Sequence, residues 1–211
     1  MLDIELITAG KRFQYDWIFK NLTLKIPANS KCAVIGSNGS GKSTLLKSIS
    51  GIQPLTEGKI QYSLSGKEIQ DTDIYKYLVI SAPYLELPEE FSLTELLDFH
   101  FKFKKPIPNM GLSDMIDTMY LSEHKFKPVS QFSSGMKQRL KIGLCLFSDC
   151  PLMLLDEPTS NLDQKGVNWY LKMIETYAVE KTVLVCSNEP KEYTFCDQKI
   201  TMEDYKLRSK L

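Results

Sequence analysis

The sequence predicts an α/β domain built on a mainly parallel sheet. Three observations carry that expectation. Short apolar runs at residues 32–35, 152–155 and 182–186 suit strands buried on both faces. Helix-patterned segments lie between these runs. A glycine-rich stretch joins the first run directly to a helix pattern at 45–49.

In chain order, residues 2–8 alternate apolar and polar and read as a strand. Residues 11–17, rich in aromatics, read as a turn, and 22–26 as a second alternating strand. Residues 27–30 then turn the chain into the strand that feeds the glycine-rich stretch. Gly51 and Pro54 stop the following helix. Residues 58–64 and 78–80 read as further strands. From 84 to 130 the pattern is largely helical. Ser92 and Glu95 have capping-box spacing, Pro106 and Pro108 break that helix, and 112–121 makes another. A long helix opens near Ser133 and runs through Phe147, and 164–178 is helical. The tail at 198–207 reads as one or two edge strands.

Hydrophobic residues make up 43% and charged residues 25% of 211 positions, an ordinary globular composition and enough chain for one domain. The formal net charge of +0 gives no general attraction to nucleic acid or anionic membrane. No apolar run approaches bilayer length, and the first residues do not form a signal-peptide pattern. The five cysteines lack C-x-x-C spacing and lie mostly in apolar runs, which predicts buried, reduced thiols in a cytoplasmic protein.

The chemistry concentrates in Gly36-Ser37-Asn38-Gly39-Ser40-Gly41-Lys42-Ser43-Thr44, which matches the phosphate-binding pattern G-x-x-x-x-G-K-[ST]. Glycines let backbone N–H groups turn inward, and the helix N-terminus favours an anion. Lys42 would reach the β- and γ-phosphates, and the Ser43 hydroxyl would ligate Mg²⁺. Residues 152–155 end in Asp156 and Glu157, which places two carboxylates at a strand's carboxyl end, where α/β sheets bind ligands. Asp156 would hold Mg²⁺, and Glu157 would orient or deprotonate a water that attacks the γ-phosphate.

In order and spacing, these motifs resemble the ATP-binding subunit of an ABC transporter. Residues 132–136 (Phe-Ser-Ser-Gly-Met) resemble that family's signature, and 159–163 its D-loop. The resemblance runs from residue 2 to about 202. It implies a P-loop NTPase core at 1–83 and 151–211, with an N-terminal antiparallel β part. It also implies an inserted helical subdomain at about 84–150. Phe13 would stack on adenine, with Tyr15 or Trp17 as alternatives. Ser133 and Gly135 would meet the γ-phosphate of ATP held by a second nucleotide-binding domain, identical or paralogous. Asp163 would couple the two sites.

Ser134 and Met136 differ from the family signature, though Ser133 and Gly135 keep it, and two further departures matter more. Tyr84 stands where a glutamine is usual, with Glu86 as a water-mediated substitute. Asn188 stands where a histidine usually contacts the γ-phosphate, and its amide can donate a hydrogen bond but cannot become cationic. With Tyr84, it implies intact ATP binding and dimerisation but hydrolysis that is slow or partner-dependent. The two histidines, His100 and His124, read as surface residues. The resemblance implies an ATP- and Mg²⁺-dependent ATPase on the inner face of the cell membrane. It would energise transport through separate membrane subunits, which dock on 84–103, and would bind no nucleic acid. The alternatives are a regulatory ATP-binding module with little turnover and a soluble ABC ATPase outside transport.

Overall fold

The computed structural model describes residues 1–206. Two sheets divide the work. The N-terminal sheet is antiparallel, with strand order β2-β1-β4-β5, from β1 (Leu2–Phe13), β2 (Asp16–Ile26), β4 (Glu57–Leu64) and β5 (Lys67–Ile69). The second sheet contains β3 (Lys31–Ile35), β6 (Leu78–Ser81), β7 (Leu152–Asp156), β8 (Thr182–Cys186) and β9 (Gln198–Thr201), all parallel, in the order β6-β7-β8-β3-β9. Helix α1 (Lys42–Ile49) follows the glycine-rich loop. Helices α2 (Leu93–His100), α3 (Leu112–Thr118), α4 (Ser134–Leu146) and α5 (Gln164–Tyr177) occur later in the chain.

The period-2 geometry of strands explains why the parallel strands are apolar throughout. On β8, Val183 and Val185 face the core formed with α2 to α5, while Leu184 and Cys186 face α1 and the antiparallel sheet. Met153 and Leu155 on β7 divide from Leu152 and Leu154 in the same way. The parallel sheet is thus the middle layer, buried on both sides. The phosphate loop and the two carboxylates emerge at its carboxyl edge. Among the described residues, no helix is long and apolar enough to cross a membrane.

Several element boundaries differ from the sequence expectation. Residues 11–17 are not a turn: β1 runs to Phe13, β2 starts at Asp16, and only Gln14 and Tyr15 lie between them. Pairing of Arg12 with Trp17 and Phe13 with Asp16 extends the ladder, with bulges absorbing the irregular polarity. Among the described residues the tail forms one edge strand, as expected, but a shorter one, Gln198–Thr201. β9 pairs with β3 as far as Ile35, where β3 bends into the phosphate loop and leaves no ladder partner, so the chain turns into a 3₁₀ helix, Met202–Tyr205. Leu207, the last residue of the expected tail strand, lies outside the described residues. The 84–130 segment is also less helical than its pattern suggested, with prolines at 88, 106, 108 and 128 interrupting it. The three residues of β5 are too few to show a strand period in the sequence; the strand pairs with β4 across a turn at Ser65 and Gly66.

The cap of α2 forms as its spacing predicted. Ser92 N–H donates to Glu95 Oε2 at 2.8 Å, and the Ser92 hydroxyl accepts from Glu95 N–H at 3.4 Å. Four of the five free cysteines are buried and Cys196 is half-buried. Burial pushes the Cys32, Cys145 and Cys196 thiols up to about 12, so they stay protonated at neutral pH.

Candidate nucleotide-binding site

β3 ends at Ile35, and the chain then wraps through Gly36 to Gly41 before α1 begins. Gly41, in the left-handed region at φ 105°, is the N-cap of α1 and offers no side-chain cap. The first-turn N–H groups therefore remain available to an anion, and no acidic residue lies in that turn. A Cβ on Gly41 would sit 2.5 Å from Ile18 Cγ2, so the close approach of β2 requires glycine there. Gly36 at φ 147° is similarly confined, because a Cβ would fall 2.7 Å from Ser40 Oγ. That Ser40 hydroxyl is fully buried and has no hydrogen-bond partner.

Lys42 is buried, with Nζ donating to the carbonyls of Gly36 at 2.8 Å and Ser37 at 3.2 Å. The side chain of the next residue, Ser43, lies near Asp156, which ends β7 and is 2% exposed. Burial pushes the Asp156 carboxyl above its usual range, opposed by the Ser43 hydroxyl and reinforced by the Glu157 charge beside it. Glu157 is exposed, with φ at 47° and its N–H donating to Cys186 O at 2.9 Å. A non-glycine residue in that region is strained, a feature that concentrates at functional sites. Glu157, Ile18 and residues 38–44 line a pocket of about 320 Å³.

These groups fit a nucleotide with its metal. The orphaned Ser40 hydroxyl and the uncapped α1 suit phosphate oxygens. Ser43 and Asp156 provide the hard oxygen donors that suit Mg²⁺, which takes few protein ligands and keeps waters and phosphates.

The family profile for ABC transporters matches residues 19–160. The chain belongs to that family. It is 28% identical over 209 residues to the uncharacterized ABC transporter ATP-binding protein YybJ of Bacillus subtilis (strain 168), covering 98% of this chain and 95% of that one. It is 32% identical over 176 residues to the lantibiotic transport ATP-binding protein SrtF of Streptococcus pyogenes, covering 81% and 73%. The fold is that of ATP-binding cassettes. A putative ABC transporter ATP-binding protein from Pyrococcus furiosus superposes with TM-score 0.80 at 20% identity, over 97% of this chain and 100% of the other. The cassette MJ0796, in a dimeric post-hydrolysis state bound to ADP and Pi, also gives 0.80 at 20% identity, over 94% and 93%.

In this ABC chain the two departures touch the elements that carry the phosphate site, Asn188 through the loop residue Asn38 and Tyr84 through Lys47 of α1. Tyr84 is half-exposed, and the Lys47 ammonium sits 3.8 Å from its ring centroid. Burial and the charge of Asp156 raise its phenol, so it is a neutral donor at physiological pH. Glu86 lines a separate cavity with Lys141 and does not line the phosphate pocket. Asn188 donates from Nδ2 to Asn38 Oδ1 at 2.5 Å.

The other candidates lie apart from that pocket's lining. Phe13, 45% exposed at the end of β1, has the Lys11 ammonium 5.2 Å from its ring centroid. Ser133 caps α4, accepting from Met136 N–H at 3.3 Å, and a Cβ on Gly135 would lie 3.2 Å from Asn161 O. The signature is thus packed against the D-loop of its own chain. Gln138 strengthens that link by donating to Pro158 O at 2.7 Å. Asp163 caps α5, accepting from Gly166 N–H at 2.8 Å.

Neither histidine lines the phosphate pocket, and both are half-buried rather than fully exposed. His100 is packed against Ser148 at 2.9 Å. Because the Ser148 hydroxyl donates its single proton to Leu144 O, His100 Nε2 must carry the donor hydrogen. Lys47 and Ile18 have no signature in the sequence, since a half-buried helix lysine and a strand isoleucine carry no motif.

Proposed function

We propose that this chain is the ATP-binding and ATP-hydrolysing subunit of an ABC transporter, energising transport through separate membrane subunits. The observation that carries this reading is the convergence of Lys42, Ser43, Asp156 and Glu157 on one loop and its pocket. Lys42 would bind the β- and γ-phosphates, while Ser43 and Asp156 would hold Mg²⁺, which supplies charge neutralisation when bound. Exposed and held at a strained backbone position, Glu157 would orient the water for in-line attack and take its proton.

Ser133 and Gly135, at the N-terminus of α4, would complete the site of a second nucleotide-binding domain, so that dimer closure sandwiches two ATP molecules. Phe13 would stack on the adenine. The membrane partner would dock on residues 84–103, placing the subunit on the cytoplasmic face. An apolar cavity of about 470 Å³ beside that segment, lined by Leu78, Ile80, Leu85 and Leu87 among others, supports this placement. A regulatory module that binds ATP with little turnover is a second reading, favoured by Asn188 and Tyr84 at the site. Steady-state Mg²⁺-ATP turnover of the wild type beside Glu157→Gln separates the two. Turnover that Glu157→Gln abolishes supports the ATPase, and ATP binding without turnover in the wild type supports the module.

A further inference from the structure

Ser37, the second residue of the phosphate loop, is bound by Glu203, which lies 166 positions further along the chain. Glu203 Oε1 accepts the Ser37 backbone N–H at 2.7 Å and the Ser37 hydroxyl at 2.9 Å. The carbonyl of the same 36–37 peptide unit belongs to Gly36, and it accepts from Lys42 Nζ at 2.8 Å. One peptide plane therefore bridges the Lys42 ammonium on one side and the Glu203 carboxylate on the other.

That plane is attached to the residue least able to hold it. Gly36 lacks the Cβ that would restrict its rotation, and a flipped 36–37 peptide would point its carbonyl away from Lys42. The same missing Cβ lets the carboxylate in, since a methyl there would fall 2.7 Å from Glu203 Oε2. The fold delivers Glu203 to this place. β9 stays in register with β3 to the Ile35–Thr201 pair, so the next two residues emerge beside Gly36. Met202 is fully buried and would touch a Cβ on Gly41 at 3.4 Å, so the turn Met202–Tyr205 backs both ends of the loop. A carboxylate accepting two donors is a charge-assisted clamp, stronger than a neutral pair.

We propose that Glu203 is a positioning residue of the nucleotide site, locking the 36–37 peptide so that Lys42 stays aimed at phosphate. This makes the C-terminal turn part of the phosphate-binding unit. The inference rests on the reading of residues 36–44 as the ATP site. Its test is ATP affinity by calorimetry, with KM and kcat, for the wild type, Glu203→Ala, Glu203→Gln, Ser37→Ala and Lys42→Ala. Glu203 is exposed, so its variants should fold.

Glu203→Ala should weaken ATP binding and raise KM by about 5- to 50-fold, with kcat within about threefold of the wild type. Glu203→Gln should fall between the alanine variant and the wild type, because its neutral amide oxygen still accepts from Ser37 but lacks the carboxylate's charge. Ser37→Ala, which keeps the N–H bond, should lose less than Glu203→Ala. Unchanged or tighter ATP binding by Glu203→Ala overturns the proposal, as does a glutamine variant as weak as the alanine one. Absence of ATP binding by the wild type, or unchanged binding by Lys42→Ala, overturns the underlying reading instead.

Discussion

The side-chain amide of Asn188 donates to Oδ1 of Asn38 at 2.5 Å, fastening the loop after β8 to the phosphate loop. An asparagine here can hold the loop but cannot take up or carry a proton near neutral pH. Replacing Asn188 with histidine should therefore raise kcat by about 10²-fold, the lower end of what positioned acid–base groups contribute, with ATP affinity little changed. Brisk wild-type turnover together with a slower Asn188→His would contradict a slow native site.

Lys42→Ala removes the ammonium that is anchored 2.8 Å from Gly36 O and aimed along the loop. A hydrogen bond to a charged group contributes about 1.5–3 kcal/mol, so ATP affinity should fall by roughly 10- to 150-fold. Calorimetric titration checks this, and unchanged affinity would remove Lys42 from phosphate binding.

Glu157→Gln keeps the shape of the pocket wall but loses the base. Turnover should fall by about 10²- to 10⁴-fold while ATP still binds. The trapped ATP state should then favour a dimer, visible as an earlier gel-filtration peak that needs ATP. Chelating Mg²⁺ should abolish wild-type turnover without unfolding the chain, as judged by circular dichroism.

Gly41→Ala asks an L-residue to adopt φ 105° and places a methyl 2.5 Å from Ile18 Cγ2. Overpacking and left-handed strain each cost about 1–3 kcal/mol. The urea midpoint should drop accordingly, and ATP binding should weaken because β2 or the loop must move.

His100 gives a pH-dependent signature. Burial, then the Lys104 charge beside it, pushes its imidazole down to about 4 from the ordinary 6.5. Folded, the ring stays neutral where the unfolded chain takes up a proton. The stability it contributes is therefore complete above 6.5 and lost as pH falls toward about 4. Over that window the folding constant should fall by at most about tenfold per pH unit on its account. Denaturation midpoints of His100→Gln should show a shallower acid slope than the wild type.

How much of this was legible in the sequence follows from the range of the interactions involved. The phosphate loop, the acidic end of β7 and the Ser92 cap are written in runs of four to nine adjacent residues. Their physics is local: glycine dihedrals, a helix N-terminus, a carboxylate after an apolar strand. The apolar runs likewise announced a sheet buried on both faces, because period-2 strands in such a layer have no polar side.

What only the tertiary structure decided is long-range. β1 reaches Phe13 because β2 offers hydrogen-bond partners up to Asp16, which outweighs the turn-like composition of residues 11–17. The tail makes a 3₁₀ turn because β3 leaves its neighbour at Ile35. The ring of Tyr84 over Lys47, the Asn188–Asn38 bond and the Glu203 clamp on Ser37 join residues 37, 150 and 166 positions apart. No periodicity encodes such pairs. The sequence by itself determined which groups could handle phosphate, and the packing of distant strands determined which neighbours hold them in place.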